Sequence, residues 1–270
     1  TFNNNFILKY LINIFFNYEN KMKQCIQNAD GIVSVSEKVL TWALSRSGRN
    51  REKPNHISNL SSVNLSEISF QNYGVEKKFN DIGVFNDESV TRIIFVGTLL
   101  NYKPFIQLIE NNSNILKKHN IQIVICGTGQ LEDYLLNNTF DNIVYAGYIN
   151  LFEYAYLCRI SHYGIAPFLS RWDLSVNIPN KVGEYLSGGL SLISTKHSGL
   201  NKILGPYGIH HEFDIEMPEE HTRILEFAVH NKENLADAKI NSMKAYKKYF
   251  AADNIYGELS EFVINQLKKQ

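Results

Sequence analysis

The sequence predicts an α/β chain: a Rossmann-like domain with a parallel sheet and helices on both faces, preceded by a partial remnant of a second domain of that kind. Three observations predict it. Short apolar runs of strand length recur between residues 91 and 194, each separated from the next by a segment with helical spacing. The runs are apolar on successive positions, as in strands buried on both faces, rather than alternating as in a sheet with one wet face. The first three end at Gly97, Gly127 and Gly147. Strands that alternate with helices imply right-handed crossovers and a parallel sheet.

In chain order, residues 6–28 have the spacing of one long helix, residues 31–36 (GIVSVS) read as a short buried strand, and 37–45 as a second helix. Residues 48–54 are polar and basic, and 61–88 are rich in Asn, Ser and Asp, which marks a connection. The expected domains are therefore 1–88, the end of an N-terminal domain plus the connection, and 89–270. In the second, strands are expected at 91–96, 121–126, 142–146, 163–167 and 191–194. Helices are expected at 105–118, after Gly129, at 151–157 and at 181–187, with three more from Met217 to the end.

Composition excludes several classes. With 44% hydrophobic residues in 270, a core is assured and disorder is excluded. A formal net charge of +0 gives no global attraction to nucleic acid or an anionic membrane, so contact with phosphate must be local. Cys25, Cys126 and Cys158 are odd in number and widely spaced, which points away from a disulfide framework or a zinc site and towards a reducing cytoplasm. The run Phe6 to Phe16 carries Lys9 and Asn13 and is too short to span a bilayer, which needs roughly 20 apolar residues. It fits a buried or amphipathic helix, or one that lies on a membrane surface or against a further domain.

Ligands of open α/β sheets bind at the carboxyl ends of the strands, where glycine turns and helix N-termini present backbone N–H groups. Gly97, Gly127 and Gly147 stand there, although strand-to-helix turns favour glycine without any ligand. Gly127-Thr128-Gly129 is only a fragment of the dinucleotide fingerprint, which argues against a dehydrogenase. The informative stretch is 177–195, NIPNKVGEYLSGGLSLIST. Pro179 suits the first turn of a helix, and Lys181 and Glu184 share a face apart from Val182, Tyr185 and Leu186. A carboxylate can accept from vicinal ribose hydroxyls and a lysine can neutralise phosphate. The competing reading is a surface Lys181–Glu184 pair worth a few tenths of a kcal/mol.

These motifs resemble those of the family-4 glycosyltransferases, which have the GT-B fold. NKVGEYLSGGLSLIST resembles the family's glutamate, glycine turn and buried strand; FVGTLLNYK (95–103) its phosphate loop; IVICGTGQLEDYL its second strand and turn; and VYAGYINLFEYAYL its base-binding turn. NADGIVSVSEKVLTWAL and HISNLSSV resemble the end of the N-terminal domain and the exit from it. The resemblance implies that Glu184 binds the donor ribose, that Lys103 and Lys181 contact the diphosphate, and that these three carry the catalysis. It places Gly97, Thr98, Gly127, Gly129, Asn177, Pro179 and Asn180 in the donor site, with the backbone of Tyr148 at the base. Transfer from a nucleoside-diphosphate sugar with retention of configuration, and without a metal or other cofactor, is implied. The acceptor would be a saccharide or a polyprenyl-linked one, in surface-polysaccharide synthesis at the cytoplasmic face of the membrane. An acceptor-binding half is expected to precede this segment, so that this chain alone would bind donor and transfer little.

Two departures from the family pattern stand out. Thr98 occupies a place where an arginine is common, and Val176 stands eight positions before Glu184, where a first glutamate is common. Asp173 and Asn177 are the nearest replacements, and Arg171 could reach a phosphate. His210-His211 lacks a third ligand at metal spacing, and adjacent strand residues point to opposite faces. His162, His197 and Asp214 form no nucleophile–base order, and nothing resembles a nucleic-acid platform. A non-catalytic nucleotide-sugar-binding module or subunit that needs a partner chain, and a GT-B sugar-nucleotide epimerase, stay open as alternatives.

Overall fold

The computed structural model describes residues 17–69, 74–100, 103–167, 177–231 and 234–268. They fall into two compact units, Thr1–Asn59 with Tyr256–Gln270, and Leu60–Ile255. The larger unit thus begins before the boundary expected at 88/89. Segment 60–87 is part of it because its apolar residues are used: Leu65, Val75, Phe79 and Val84 are all buried in its core. The Leu65 N–H donates to Ser187 Oγ (3.0 Å), and Ser62 N–H to the Phe250 carbonyl (3.0 Å).

The smaller unit holds α1 (Tyr18–Asn28), β1 (Ile32–Ser34), α2 (Glu37–Ser47) and β2 (Asn55–Ile57). The strands β1 and β2 pair in parallel. Ser36 caps α2 by accepting from Val39 N–H, and Gly48 ends it in the left-handed region. Buried Arg49 donates to the carbonyls of Ile26, Gln27 and Ala29 and so closes the exposed end of α1. The Phe262 ring stacks on His56 and lies against Gly31.

The larger unit carries the expected sheet. Its strands are β3 (Thr91–Val96), β4 (Ile121–Cys126), β5 (Ile143–Gly147), β6 (Tyr163–Ala166), β7 (Ser191–Thr195) and β8 (His210–Phe213), all parallel, in the order β5-β4-β3-β6-β7-β8. Alternate residues feed two cores. Ile93, Phe95, Ile123, Ile125, Ile165, Ile193 and Phe213 pack with α4 (Lys103–Glu110), α5 (Ser113–Lys118), α6 (Glu132–Asn137) and α10 (Pro218–His230). Ile94, Val124, Cys126, Ala166 and Leu192 pack with α3 (Val75–Asp81), α7 (Leu151–Arg159), α8 (Asn180–Ser187), α9 (Ser198–Leu204) and α11 (Leu235–Tyr249). Both faces are covered, as the continuous apolar runs require. The final helix, α12 (Ala252–Leu267), has one buried residue, Ile255.

Several elements differ from expectation. The helix expected at 105–118 is two, because buried Asn112 turns its amide onto the Leu108 carbonyl (3.0 Å) and competes with the helix ladder. β8, α3 and α9 add to the expected elements. His210 and His211 of β8 point apart: His210 Nε2–H donates to Ser194 Oγ (2.8 Å), while the His211 ring lies 4.3 Å from that of Phe227. The helix expected over 6–28 begins at Tyr18, after Asn17 in the left-handed region (φ +46°), and residues 6–16 lie outside those described. No helix among the described residues is long and apolar enough to cross a membrane.

Candidate functional site

The strand order reverses between β3 and β6, which are adjacent in the sheet although two strands separate them in sequence. Such a switch point opens a crevice beyond the carboxyl ends of the two strands. The pairing of β3 with β6 stops at Ile94–Gly164. Beyond it, the next bond of the ladder would run from Val96 N–H to the Ile165 carbonyl. The Tyr185 hydroxyl stands in that place instead, accepting from Val96 N–H (2.9 Å) and donating to Ile165 (3.3 Å). Its ring is fully buried, in space left by Gly164, where any Cβ would collide with it.

Tyr185 lies on α8, and the helix carries Lys181 and Glu184 to this crevice. Pro179 stands just before the helix in extended conformation, with no side chain capping the first turn, so backbone N–H groups face outward there. Lys181 is half-buried, with Nζ 4.4 Å from the centre of the Phe95 ring. A Cβ on Gly97 would lie 2.6 Å from that ammonium, so the two residues touch only because position 97 is glycine. Burial pushes the Lys181 ammonium down to about 8, against the pull of Glu184. Burial likewise raises the Glu184 carboxyl, opposed by the Tyr154 hydroxyl and by Lys181. Tyr154 Oη is buried beside the Glu184 carboxyl and favours its charged form. A surface pair would be solvated; this one is partly stripped of water.

A cavity of about 250 Å³ lies beside these groups, lined by Val96, Gly97, Thr98, Gly127, Thr128, Tyr148 and Ile149. Four residues expected in the donor site therefore share one wall. Tyr148 is 74% exposed at the end of β5, an aromatic surface beside the opening. Gly127 and Gly129 have a different reason for being glycine. A Cβ on Gly127 would strike the Gly97 carbonyl, and one on Gly129 the Leu99 backbone. Both have positive φ, +131° and +146°, and Leu99 N–H donates to Thr128 (2.9 Å). The β3–α4 and β4–α6 turns are thus packed against one another, and mutual packing of the loops accounts for these glycines.

The remaining expected residues are placed less centrally. Lys103 opens α4 and is exposed, after the turn that carries Gly97 and Thr98. Asn177 and Asn180 are exposed; the Asn180 carbonyl accepts from Ser62 Oγ (3.2 Å). His197 holds Asn177. Its Nδ1 accepts from Leu200 N–H (3.1 Å), which leaves Nε2–H to donate to the Asn177 carbonyl (3.2 Å). Arg171, Asp173 and Val176 lie outside the described residues. Among those described, no three His, Cys, Asp or Glu side chains group to hold a metal ion. Sequence reasoning missed Tyr185, Tyr154, Phe95 and His197 as parts of the site. Tyr185 adjoins Glu184, and Phe95 and Tyr154 lie within the stretches 95–103 and 144–157 quoted above, but nothing in the sequence marked these side chains themselves.

Against known proteins, residues 90–238 match the family described as Glycosyl transferases group 1. A curated relative, an uncharacterized glycosyltransferase of Methanocaldococcus jannaschii, is 36% identical over 87 residues. That stretch covers 29% of this chain and 22% of the relative, so the match spans about a fifth of the relative's length. Among solved structures, HepE of Anabaena in complex with UDP and glucose superposes with a TM-score of 0.68 at 14% identity, over 93% of this chain and 67% of that one. A glycosyltransferase from Rickettsia africae gives 0.69 at 14%, over 93% and 68%. The sucrose-phosphate synthase of Thermosynechococcus elongatus gives 0.68 at 12%, over 94% and 63%. At these identities the likeness is one of fold, and the helix-flanked parallel sheet matches that of GT-B glycosyltransferases. The family match takes in β3 to β8, and with them the switch-point crevice, Lys181 and Glu184: the chain belongs to the glycosyl transferases group 1 family.

Proposed function

We propose that this chain forms the donor-binding part of a retaining glycosyltransferase of the family-4 type, taking a nucleoside-diphosphate sugar. The observation that carries the reading is the pair Lys181 and Glu184, held half-desolvated at the switch point beside the cavity lined by Gly97, Thr98 and Tyr148. The bound UDP and glucose of the Anabaena protein agree with it. Glu184 would accept hydrogen bonds from the ribose hydroxyls, and Tyr148 would meet the base. The diphosphate would lie against Lys181 and the open N-terminus of α8, with Lys103 reaching it from the solvent side.

In the reaction the bond from the anomeric carbon to the diphosphate oxygen breaks, a bond to the acceptor oxygen forms with the configuration kept, and the acceptor's hydroxyl proton passes to the departing diphosphate. Negative charge builds on the leaving diphosphate. Fixed cations and N–H dipoles in a water-poor site stabilise that charge without reorganising. This supports a leaving group neutralised by protein groups rather than by a metal. The acceptor would be a saccharide or lipid-linked saccharide, in surface-polysaccharide synthesis in the cytoplasm.

Titration calorimetry with UDP, GDP and their sugar conjugates tests the reading. Binding of one base series, weakened by Glu184→Gln, is expected. Failure of every nucleoside diphosphate to bind at millimolar concentration would sink it.

A further inference from the structure

We propose that Tyr185 is a positioning residue that wedges β3 and β6 apart and thereby sets the phosphate crevice; this rests on the donor-site reading above. Tyr185 belongs to the hydrophobic face of α8 and could pass for packing alone. Its hydroxyl says otherwise. A buried tyrosine needs some hydrogen-bond partner, but this one takes both polar groups of a single missing rung, Val96 N–H and the Ile165 carbonyl. Without it, two parallel strands in this register would close directly upon each other. With it they are held apart by the width of a hydroxyl at the point where the sheet order reverses.

The wedge also sets the register of helix against strand. Lys181 and Tyr185 are four apart on α8 and so lie one above the other on the helix. Val96 and Gly97, the residues they address, are consecutive at the end of β3. The hydroxyl fixes Tyr185 to Val96, and the ammonium one turn earlier then falls against Gly97, where it also lies over Phe95. Gly164 belongs to the same device, since a side chain there would expel the ring. The crevice therefore depends on one oxygen atom that touches no substrate.

Tyr185→Phe keeps the ring and removes the oxygen. The expected result is a folded protein whose Kd for UDP rises about tenfold at a temperature well below its melting point. Ile224→Val, in the core on the opposite face of the sheet, serves as the control for lost stability, with Kd unchanged for a similar fall in Tm. If Tyr185→Phe binds UDP within twofold of the unaltered protein, the hydroxyl is structural only and the proposal is overturned. If the unaltered protein binds no UDP, GDP or related diphosphate, the donor-site reading fails and takes this assignment with it. Should Tyr185→Phe not fold, amide hydrogen exchange of the unaltered protein decides. Protection of Val96 N–H that rises when UDP binds supports the wedge, and protection that UDP leaves unchanged overturns it.

Discussion

Raising the pH from 7 to 9 should strip the proton from Lys181 and weaken nucleoside-diphosphate binding, and the size of the effect follows from the site. Burial holds the free ammonium at about 8. At pH 7 roughly nine-tenths of the free protein carries the charge, and at pH 9 roughly one-tenth. A bound diphosphate stabilises the protonated form and returns the amine towards its ordinary range, near 10.4. Binding at pH 9 should then take up close to one proton, and at pH 7 about a tenth of one. Affinity should fall by up to about tenfold per pH unit between 8 and 10. The assay is titration calorimetry in buffers of different ionisation enthalpy, which reads proton uptake directly. Lys181→Met should abolish the uptake and weaken binding by about 1.5–3 kcal/mol, the usual worth of a charge-assisted hydrogen bond. The same substitution should stabilise the free protein. Because the folded-state pKa is lower than that of the unfolded chain, the unfolded chain binds more protons between about pH 8 and 10.5. The protonated lysine therefore costs the fold roughly 1–3 kcal/mol at pH 7, and the cost fades as the pH rises through that window. Proton uptake near zero at pH 9, with affinity flat from pH 7 to 9, would refute the reasoning.

Glu184→Gln should weaken UDP binding by about 1.5–3 kcal/mol while leaving binding of free pyrophosphate little changed, since the carboxylate is assigned to the ribose; equal losses for both in calorimetry would move it to another role. Gly127→Ala should lower stability by more than about 2 kcal/mol in urea unfolding, because its Cβ would meet the Gly97 carbonyl at a backbone angle of +131°. An unchanged urea midpoint would show that the two turns are not packed as described. Of the three cysteines, Cys25 is exposed, whereas Cys126 and Cys158 are buried with thiols pushed up, Cys126 to about 12. A thiol reagent should label one cysteine in the native protein and three in denaturant; fast native labelling of Cys126 would mean that β4 opens readily.

The parallel sheet was legible because its inner strands leave no ambiguity. TRIIFV and IQIVIC are apolar on both faces, and β3 and β4 span the residues expected. β8 carries no apolar strand signal because HHEF spends three of its four positions on His and Glu. Those side chains are held by neighbours remote in sequence, Ser194 under His210 and the His197 N–H on Glu212. Segment 60–88 looked like a connection because its few apolar residues are scattered among Asn, Ser and Asp. Leu65, Val75, Phe79 and Val84 are each buried all the same, which no local period announces. Strand order is a further loss: nothing in the sequence says that β3 lies beside β6, and the wedge of Tyr185 depends on that adjacency.

The two lysines assigned to the phosphates look equivalent in sequence and are physically unlike. Lys103 is exposed at the start of α4, where water and salt screen its attraction over about 8–10 Å. Its effect on an arriving anion would be a weak, salt-dependent pull. Lys181 has given up part of its hydration, and the attraction of Glu184 offsets only part of that loss, since that carboxyl is itself destabilised by burial. An ammonium and a carboxylate left half-desolvated side by side store an unmet demand for partners. On the proposed reading a nucleoside diphosphate would meet both demands at once, its phosphates on the amine and its ribose hydroxyls on the carboxylate. A free sugar meets one and a free phosphate the other. Selectivity for the joined molecule would then follow from placing the two groups three residues apart on a helix whose Tyr185 is bonded to Val96 and whose Lys181 lies against Gly97.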